Sequence, residues 1–274
     1  MTTSHLRAIA AVVFTTLTLA SAATRAVAQG PERATLPGPP PQQGALAPEN
    51  LKKPRPRAPF DLTGTWFVDL SAGFDTWRSG PPYPTFTGDA AKAYVESEQA
   101  KKEGKSYRDW IGQCYPAGMP VIMTRVWPHA FIQLPTAIYM VSGFENALRI
   151  IYLDGRQHTP ADEVVRSYNG ESIGHWEGDT LVVETRHMVS DKHVIDDGLP
   201  VSDAFRIVER IRLTNNGNTL EDTWTLIDPN NWEGEWTSVH RFKRQDDTDI
   251  TEVECLPNLN EKLPGTSSKG VILK

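Results

Sequence analysis

The sequence predicts an all-β fold, an antiparallel β-barrel with one short peripheral helix; a two-sheet β-sandwich around a dry core is the competing arrangement. Three observations carry that expectation. From Met119 onward, short runs of strand-forming residues are punctuated by Gly, Asn, Asp and Pro, the pattern of antiparallel all-β chains. Residues 205–226, FRIVERIRLTNNGNTLEDTWTL, read as a hairpin turning on Asn216-Gly217, a dipeptide suited to a two-residue primed turn. Polar side chains also fall on faces that alternation sends inward, which suits a closed sheet around a ligand cavity.

The elements follow in order. Residues 1–7 are mildly basic, 8–23 are apolar, and Ala26-Val27-Ala28 offers a small-residue cleavage site, so residues 1–28 read as a secretory signal peptide. An apolar run of roughly 16 residues broken by Thr and Ser falls short of the ~20 that span a bilayer. Residues 29–59 are rich in Pro, Gln, Gly and Ala, end in a basic KKPRPR and show no helix or strand period, which makes them a Pro-rich linker. A single barrel domain is expected over 60–258, opening at FDLTGTWFVDL, with a C-terminal tail over 259–274. Residues 89–104 begin with an acid, are rich in helix formers and end in lysines and a glycine, so they form the helix. Strands are expected at 121–126, 130–133, 138–141, 148–153, 164–168, 180–187, 206–213, 220–227, 236–243 and 250–255.

Composition narrows the function. A formal net charge of -6 argues against nucleic acid as partner, because binding phosphates takes a basic face. The leader places the mature chain in the periplasm or outside the cell, with no membrane span after cleavage. In that compartment Cys114 and Cys255, the only cysteines, either oxidise to one disulfide or remain two buried thiols.

Alternation then exposes an oddity. Ile207, Glu209, Ile211 and Leu213 share one face of the first hairpin arm, and Leu220, Asp222, Trp224 and Leu226 share one face of the second. The Asn-Gly turn pairs Leu213 with Leu220, Ile211 with Asp222 and Glu209 with Trp224, so two carboxylates point into the apolar side, while Arg212 meets Glu221 outside. The same parity groups Leu181, Val183, Thr185 and His187, and likewise Trp236, Ser238, His240 and Phe242. If these four strands are sequential neighbours, His187, Glu209, Asp222 and His240 line one wall. Buried charges must pair, hold water, bind a ligand or change protonation. One outcome is a set of structural pairs, for example His240 with Asp222. The other is a catalytic set in which a His and a carboxylic acid move a proton beside the aromatic wall of Trp224, Trp236 and Phe242. That chemistry is lyase, dehydratase or isomerase work on an apolar, aromatic small molecule, with lignin-derived dimers as an example, and it needs no cofactor. Two His and a carboxylate can also hold a metal, but their spacing is not a local ligand motif. No GxGxxG, Walker loop, HExxH, CxxC or GxSxG is present. His193 reads as an exposed loop residue and His129, after Trp127-Pro128, as a strand break.

The segments QCYPAGMP, RIIYLDGRQHTP, SYNGESIGHWEGDTLVVET, SDAFRIVERIRL and EVECLPN resemble a large, mostly uncharacterised family of secreted bacterial proteins with YxDGRxH and SxGxWEGDTLVVxT motifs. The resemblance covers 60–258, and Gly64 and Trp66 of DLTGTW are similar to the G-x-W opening of lipocalin-like barrels, which implies that fold. Matched positions are Cys114, Pro116, Gly118, Pro120, Tyr152, Asp154, Gly155, Arg156, His158, Gly174, Trp176, Glu177, Gly178, Asp179, Glu209 and Cys255. Gly155, Gly178 and Asp179 suit hairpin turns. Asp154, Arg156 and His158 form either a salt-bridged turn or a rim that binds an anionic group, with Tyr152 and Arg156 positioning a phenol or carboxylate. Substrate binding is accordingly expected of Tyr152, Asp154, Arg156, His158, Trp176, Trp224 and Trp236. His187 and His129 depart from the family pattern, and a specialised activity follows if they point inward. A non-catalytic binding protein and a structural envelope module are the alternatives.

Overall fold

The computed structural model describes residues 43–55, 61–71, 73, 79–195, 198–253 and 255. The expected signal peptide and the 259–274 tail lie outside these residues. Of the linker, 43–55 are described, and they carry one helical turn, α1 (Pro48–Leu51), which buries Asn50.

In chain order there follow β1 (Gly64–Val68), β2 (Thr85–Phe86), α2 (Gly88–Lys102), β3 (His129–Gln133), β4 (Ala137–Ser142), β5 (Leu148–Tyr152), β6 (Glu171–Glu177), β7 (Thr180–Arg186), β8 (Val194–Ile195), β9 (Leu199–Pro200), β10 (Arg206–Thr214), β11 (Thr219–Ile227), β12 (Trp232–Glu233) and β13 (Trp236–Gln245). Nine of these strands close into a barrel, in the order β1, β13, β11, β10, β7, β6, β5, β4, β3 and back to β1. The fold is therefore an all-β barrel with, among the described residues, one α-helix longer than a turn. Among the described residues no helix is long and apolar enough to cross a membrane.

The hairpin sets the register of the wall. Leu213 faces Leu220, Ile211 faces Asp222 and Glu209 faces Trp224. Asn216 and Gly217 have φ of 55° and 84°, and the Asn218 N–H donates to the Asn215 carbonyl at 3.1 Å. That is the geometry of a primed turn, whose twist matches that of the flanking strands. β7, β10, β11 and β13 are consecutive antiparallel neighbours.

One pair breaks the pattern. β5 and β6 run parallel, with Ile151 opposite Ser172 and Tyr152 opposite Ile173, the shortest register in the barrel. Parallel neighbours need a long crossover, and residues 153–170 supply it. The strand expected at 164–168 falls in this crossover, which pairs only through the Ser167–Met188 bridge. β6 was not foreseen, because Gly174 interrupts its pattern. A Cβ on Gly174 would stand 3.0 Å from the Ile151 and Leu153 side chains, so glycine leaves room for those side chains against the β6 backbone.

Two more expected strands are replaced. Residues Val121–Thr124 form a buried 3-10 turn. A short, mostly apolar run such as VIMT carries no period with which to tell strand from helix. The described residues of 250–255 form no strand; instead Asn146 holds them, donating to the Thr251 carbonyl at 2.9 Å and accepting from the Val253 N–H at 2.6 Å.

The core is aromatic and aliphatic, with Trp66, Trp224, Trp236, Met140, Ile151 and Phe242 all buried. α2 buries Ala90 and Ala93, and its Tyr94 packs on Phe86, which meets Trp236 edge-on at 5.7 Å. Cys114 and Cys255 form a disulfide across a sequence separation of 141. In the unfolded chain that bond closes the whole intervening loop, whereas without it the native barrel frees only the segment after β13. Loop-closure entropy makes the difference about 2 kcal/mol. The double variant Cys114→Ser/Cys255→Ser is thus expected to lower unfolding free energy by about that amount in urea titration; a loss of ~5 kcal/mol would mean the tail stays docked without the bond.

Candidate functional site

Period-2 alternation delivers a polar network to the barrel interior. Arg149 enters from β5, Ser172 from β6, Thr185 from β7, Glu209 from β10, Asp222 from β11 and His240 from β13, and all six are buried. Arg149 grips Glu209 with two hydrogen bonds, one of 2.8 Å from Nη1 to Oε1 and a shorter one from Nη2 to Oε2. The guanidinium also donates to the Ser172 hydroxyl at 3.0 Å and to the Thr185 hydroxyl at 2.9 Å. Such a fork satisfies a buried carboxylate geometrically as well as electrically.

Asp222 is the second acid. Its Oδ2 accepts from Trp224 Nε1 at 2.7 Å, and the His240 ring stacks on Trp224 at 3.6 Å while its Nε2 pairs with the Ser238 hydroxyl at 2.8 Å. Burial pushes the Asp222 carboxyl well above the usual range, and the charge of Glu209 adds to that. Asp222 is therefore a neutral carboxylic acid beside Glu209. The inward acids of the hairpin are thus satisfied in two ways: Glu209 by the Arg149 fork, Asp222 by its own proton and the Trp224 N–H.

A cleft of about 640 Å³ lies on the parallel seam, beneath the 153–170 crossover. Tyr152, Arg156, Thr159, Tyr168, Glu171 and His187 contribute to its lining, as does Arg149, whereas Glu209, Asp222 and His240 do not. The Arg156 guanidinium lies 3.6 Å from the Tyr152 ring centre and holds Asp154 through bonds of 2.9 and 2.7 Å. Burial works against ionised Asp154, but these bonds and the Arg156 charge prevail and hold its carboxyl below the usual range.

At the same cleft, Glu171 opens β6 and stands opposite Arg186, next to the end of β7. It accepts from the Thr159 N–H at 2.9 Å and the Thr159 hydroxyl at 2.8 Å, and His158 Nδ1 lies 2.9 Å from its Oε2. Burial opposes the ionised Glu171, yet these bonds keep its carboxyl below the ordinary range. His187 follows β7 with φ of 61°. That left-handed residue turns the chain, so His187 leaves the inward row of Leu181, Val183 and Thr185 and meets His158 at 5.8 Å between ring centres. Burial holds the His187 imidazole below its usual range. The Nε2 atoms of both histidines are buried and have no hydrogen-bond partner among the described residues.

The expected site residues are thereby divided. Glu209, Asp222, His240 and Trp224 belong to the interior network. His187, Tyr152, Asp154, Arg156 and His158 gather at the seam. Trp176 packs half-buried against the core, and Trp236 donates to the Gly80 carbonyl at 3.0 Å within its aromatic cluster. Neither Trp lines the cleft. His193 is not an exposed loop residue: it is buried, bonds the Val189 carbonyl at 2.8 Å and is held by burial at a pKa of about 4. His129 opens β3, not a break, and is buried edge-on to Phe242 with its pKa lowered to about 4. Arg149 and Glu171 were missed. Arg149 shares its parity with Ile151 inside an apolar strand, and that was the available signal.

Fold and site together define a closed β-barrel with a charged interior network and a separate His/carboxylate cleft at its parallel seam. No protein-family model matches this chain, and no curated protein matches it.

Proposed function

We propose that this protein is an exported acid-base catalyst, a lyase, dehydratase or isomerase, acting on an aromatic small molecule with an acidic group in the seam cleft. The observation that carries this reading is the convergence of His158, Glu171 and His187, of which Glu171 and His187 line a cleft whose wall also holds the Tyr152–Arg156 stack. An aromatic ring finds a flat partner in Tyr152, and a carboxylate or phenolate finds the Arg156 guanidinium. The imidazoles stand beside an ionised carboxylate, and burial favours the neutral His187 ring, the arrangement that proton transfer to and from carbon requires, either directly or through an activated water. Glu209 and Asp222 then act as scaffold behind the cleft.

A second reading has its own support. Arg156 is already neutralised by Asp154, as suits a binding protein whose polar groups only orient a ligand. Incubating the purified protein with lignin-type and other aromatic dimers, with product followed by mass spectrometry, separates the two. His158→Gln and His187→Asn are each expected to lower turnover at least about 100-fold. Ligand retained without turnover, unchanged in both variants, would establish the binding protein.

A further inference from the structure

We infer that His158, Glu171 and His187 form a site for one divalent transition ion of the zinc class; its catalytic consequence rests on the reading of the cleft given above. One nitrogen of each imidazole and one Glu171 oxygen lie within 4.8 Å of one another. Tetrahedral ligands at zinc bond lengths stand about 3.3 Å apart, so the widest pair has to draw in by at most about 1.5 Å. Two of the three side chains, His158 and His187, lie outside the strands, on segments able to make that adjustment.

Several features favour an ion over a set of internal hydrogen bonds. Both Nε2 atoms are buried ring nitrogens without a hydrogen-bond partner among the described residues, and one cation can satisfy two such nitrogens together. Glu184 stands next to the cluster, its Oε2 3.6 Å from His158 Nε2, while its Oε1 is held by Arg186 at 2.8 Å and Arg206 at 3.2 Å. Thr159 fixes both oxygens of Glu171, the orienting role that outer partners play around metal ligands. Two imidazoles and one carboxylate select zinc(II) or cobalt(II) over magnesium or calcium, which favour all-oxygen sites. Three protein ligands leave a position open toward the cleft, where a bound water becomes a proton acceptor near neutral pH.

The test is calorimetric titration of the full chain, freed of any tag histidines, with zinc sulfate, alongside cobalt(II) chloride followed by visible absorption. One ion per chain is expected, with affinity at least about tenfold weaker in His158→Gln, His187→Asn and Glu171→Gln. Asn is chosen at 187 because it tolerates the left-handed backbone there. Unfolding midpoints taken in parallel identify any variant that fails to fold, and the remaining two still decide the matter. Absence of saturable binding, or equal affinity in folded variants, would overturn the inference. Saturable zinc binding without turnover would overturn the catalytic reading and leave the metal site standing; turnover by metal-stripped protein would overturn the ion's catalytic role.

Discussion

Arg149→Met is expected to destabilise the barrel by about 3–5 kcal/mol, measured as the change in unfolding free energy in urea. The substitution keeps the volume of the side chain and removes its charge. Glu209 then stays in the interior with no cation, beside Asp222, and the hydroxyls of Ser172 and Thr185 lose their shared donor. Breaking one half of a buried pair costs far more than the pair contributes, because the remaining charge is stranded. The double variant Arg149→Met/Glu209→Gln is accordingly expected to recover more than half of the loss, because the amide is neutral and leaves no stranded charge. Arg149→Met within ~1 kcal/mol of wild type would mean that Glu209 reaches water or another cation.

The second large effect is a pH dependence reversed from that of most native carboxyls. Burial raises the folded-state pKa of Asp222 well above the ordinary aspartate value of 3.8. Between the unfolded and folded values, the native protein holds a proton that the unfolded chain has released. Stability therefore falls as pH rises through that window, by up to about 1.4 kcal/mol per pH unit, and levels off above the folded pKa. Asp222→Asn cannot ionise, yet its amide keeps the size of the acid and can still accept from Trp224 Nε1. The variant should match wild type below pH ~4 and become progressively more stable as pH increases. Unfolding free energies of both proteins between pH 4 and 8 would decide it, and parallel curves would sink the idea.

What could be read in advance depended on whether local chemistry fixed the geometry. Asn216-Gly217 leaves one favoured turn, the turn sets the register, and alternation sends Glu209 and Asp222 inward, so that chain of argument held from residues to packing. His187 followed the same parity on paper and left it in space, because a single left-handed residue after Arg186 redirects the chain. Parity extrapolated past a strand end carries no information. Arg149 was hidden differently: its partner Glu209 is 60 residues away, and nothing local marks an inward arginine in LRIIY as paired. The seam cleft was legible only as a cluster of motif residues, Tyr152, Asp154, Arg156 and His158. What joins them to Glu171 and His187 is the parallel pairing of β5 with β6, a long-range event.

That pairing follows from counting. Around a closed ring in which every strand opposes both neighbours, directions alternate, and alternation returns to its start only when the number is even. Nine strands form an odd ring, so one adjacent pair has to agree in direction. The chain must then travel from one end of the barrel to the other outside the sheet, and the covering it lays down on that journey is what encloses the cleft. A relative with one strand more or fewer could close by hairpins alone and would have no topological reason to keep a pocket there. The site is thus tied to the oddness of the ring, and insertion or loss of a single strand would remove the need for the excursion that shelters it.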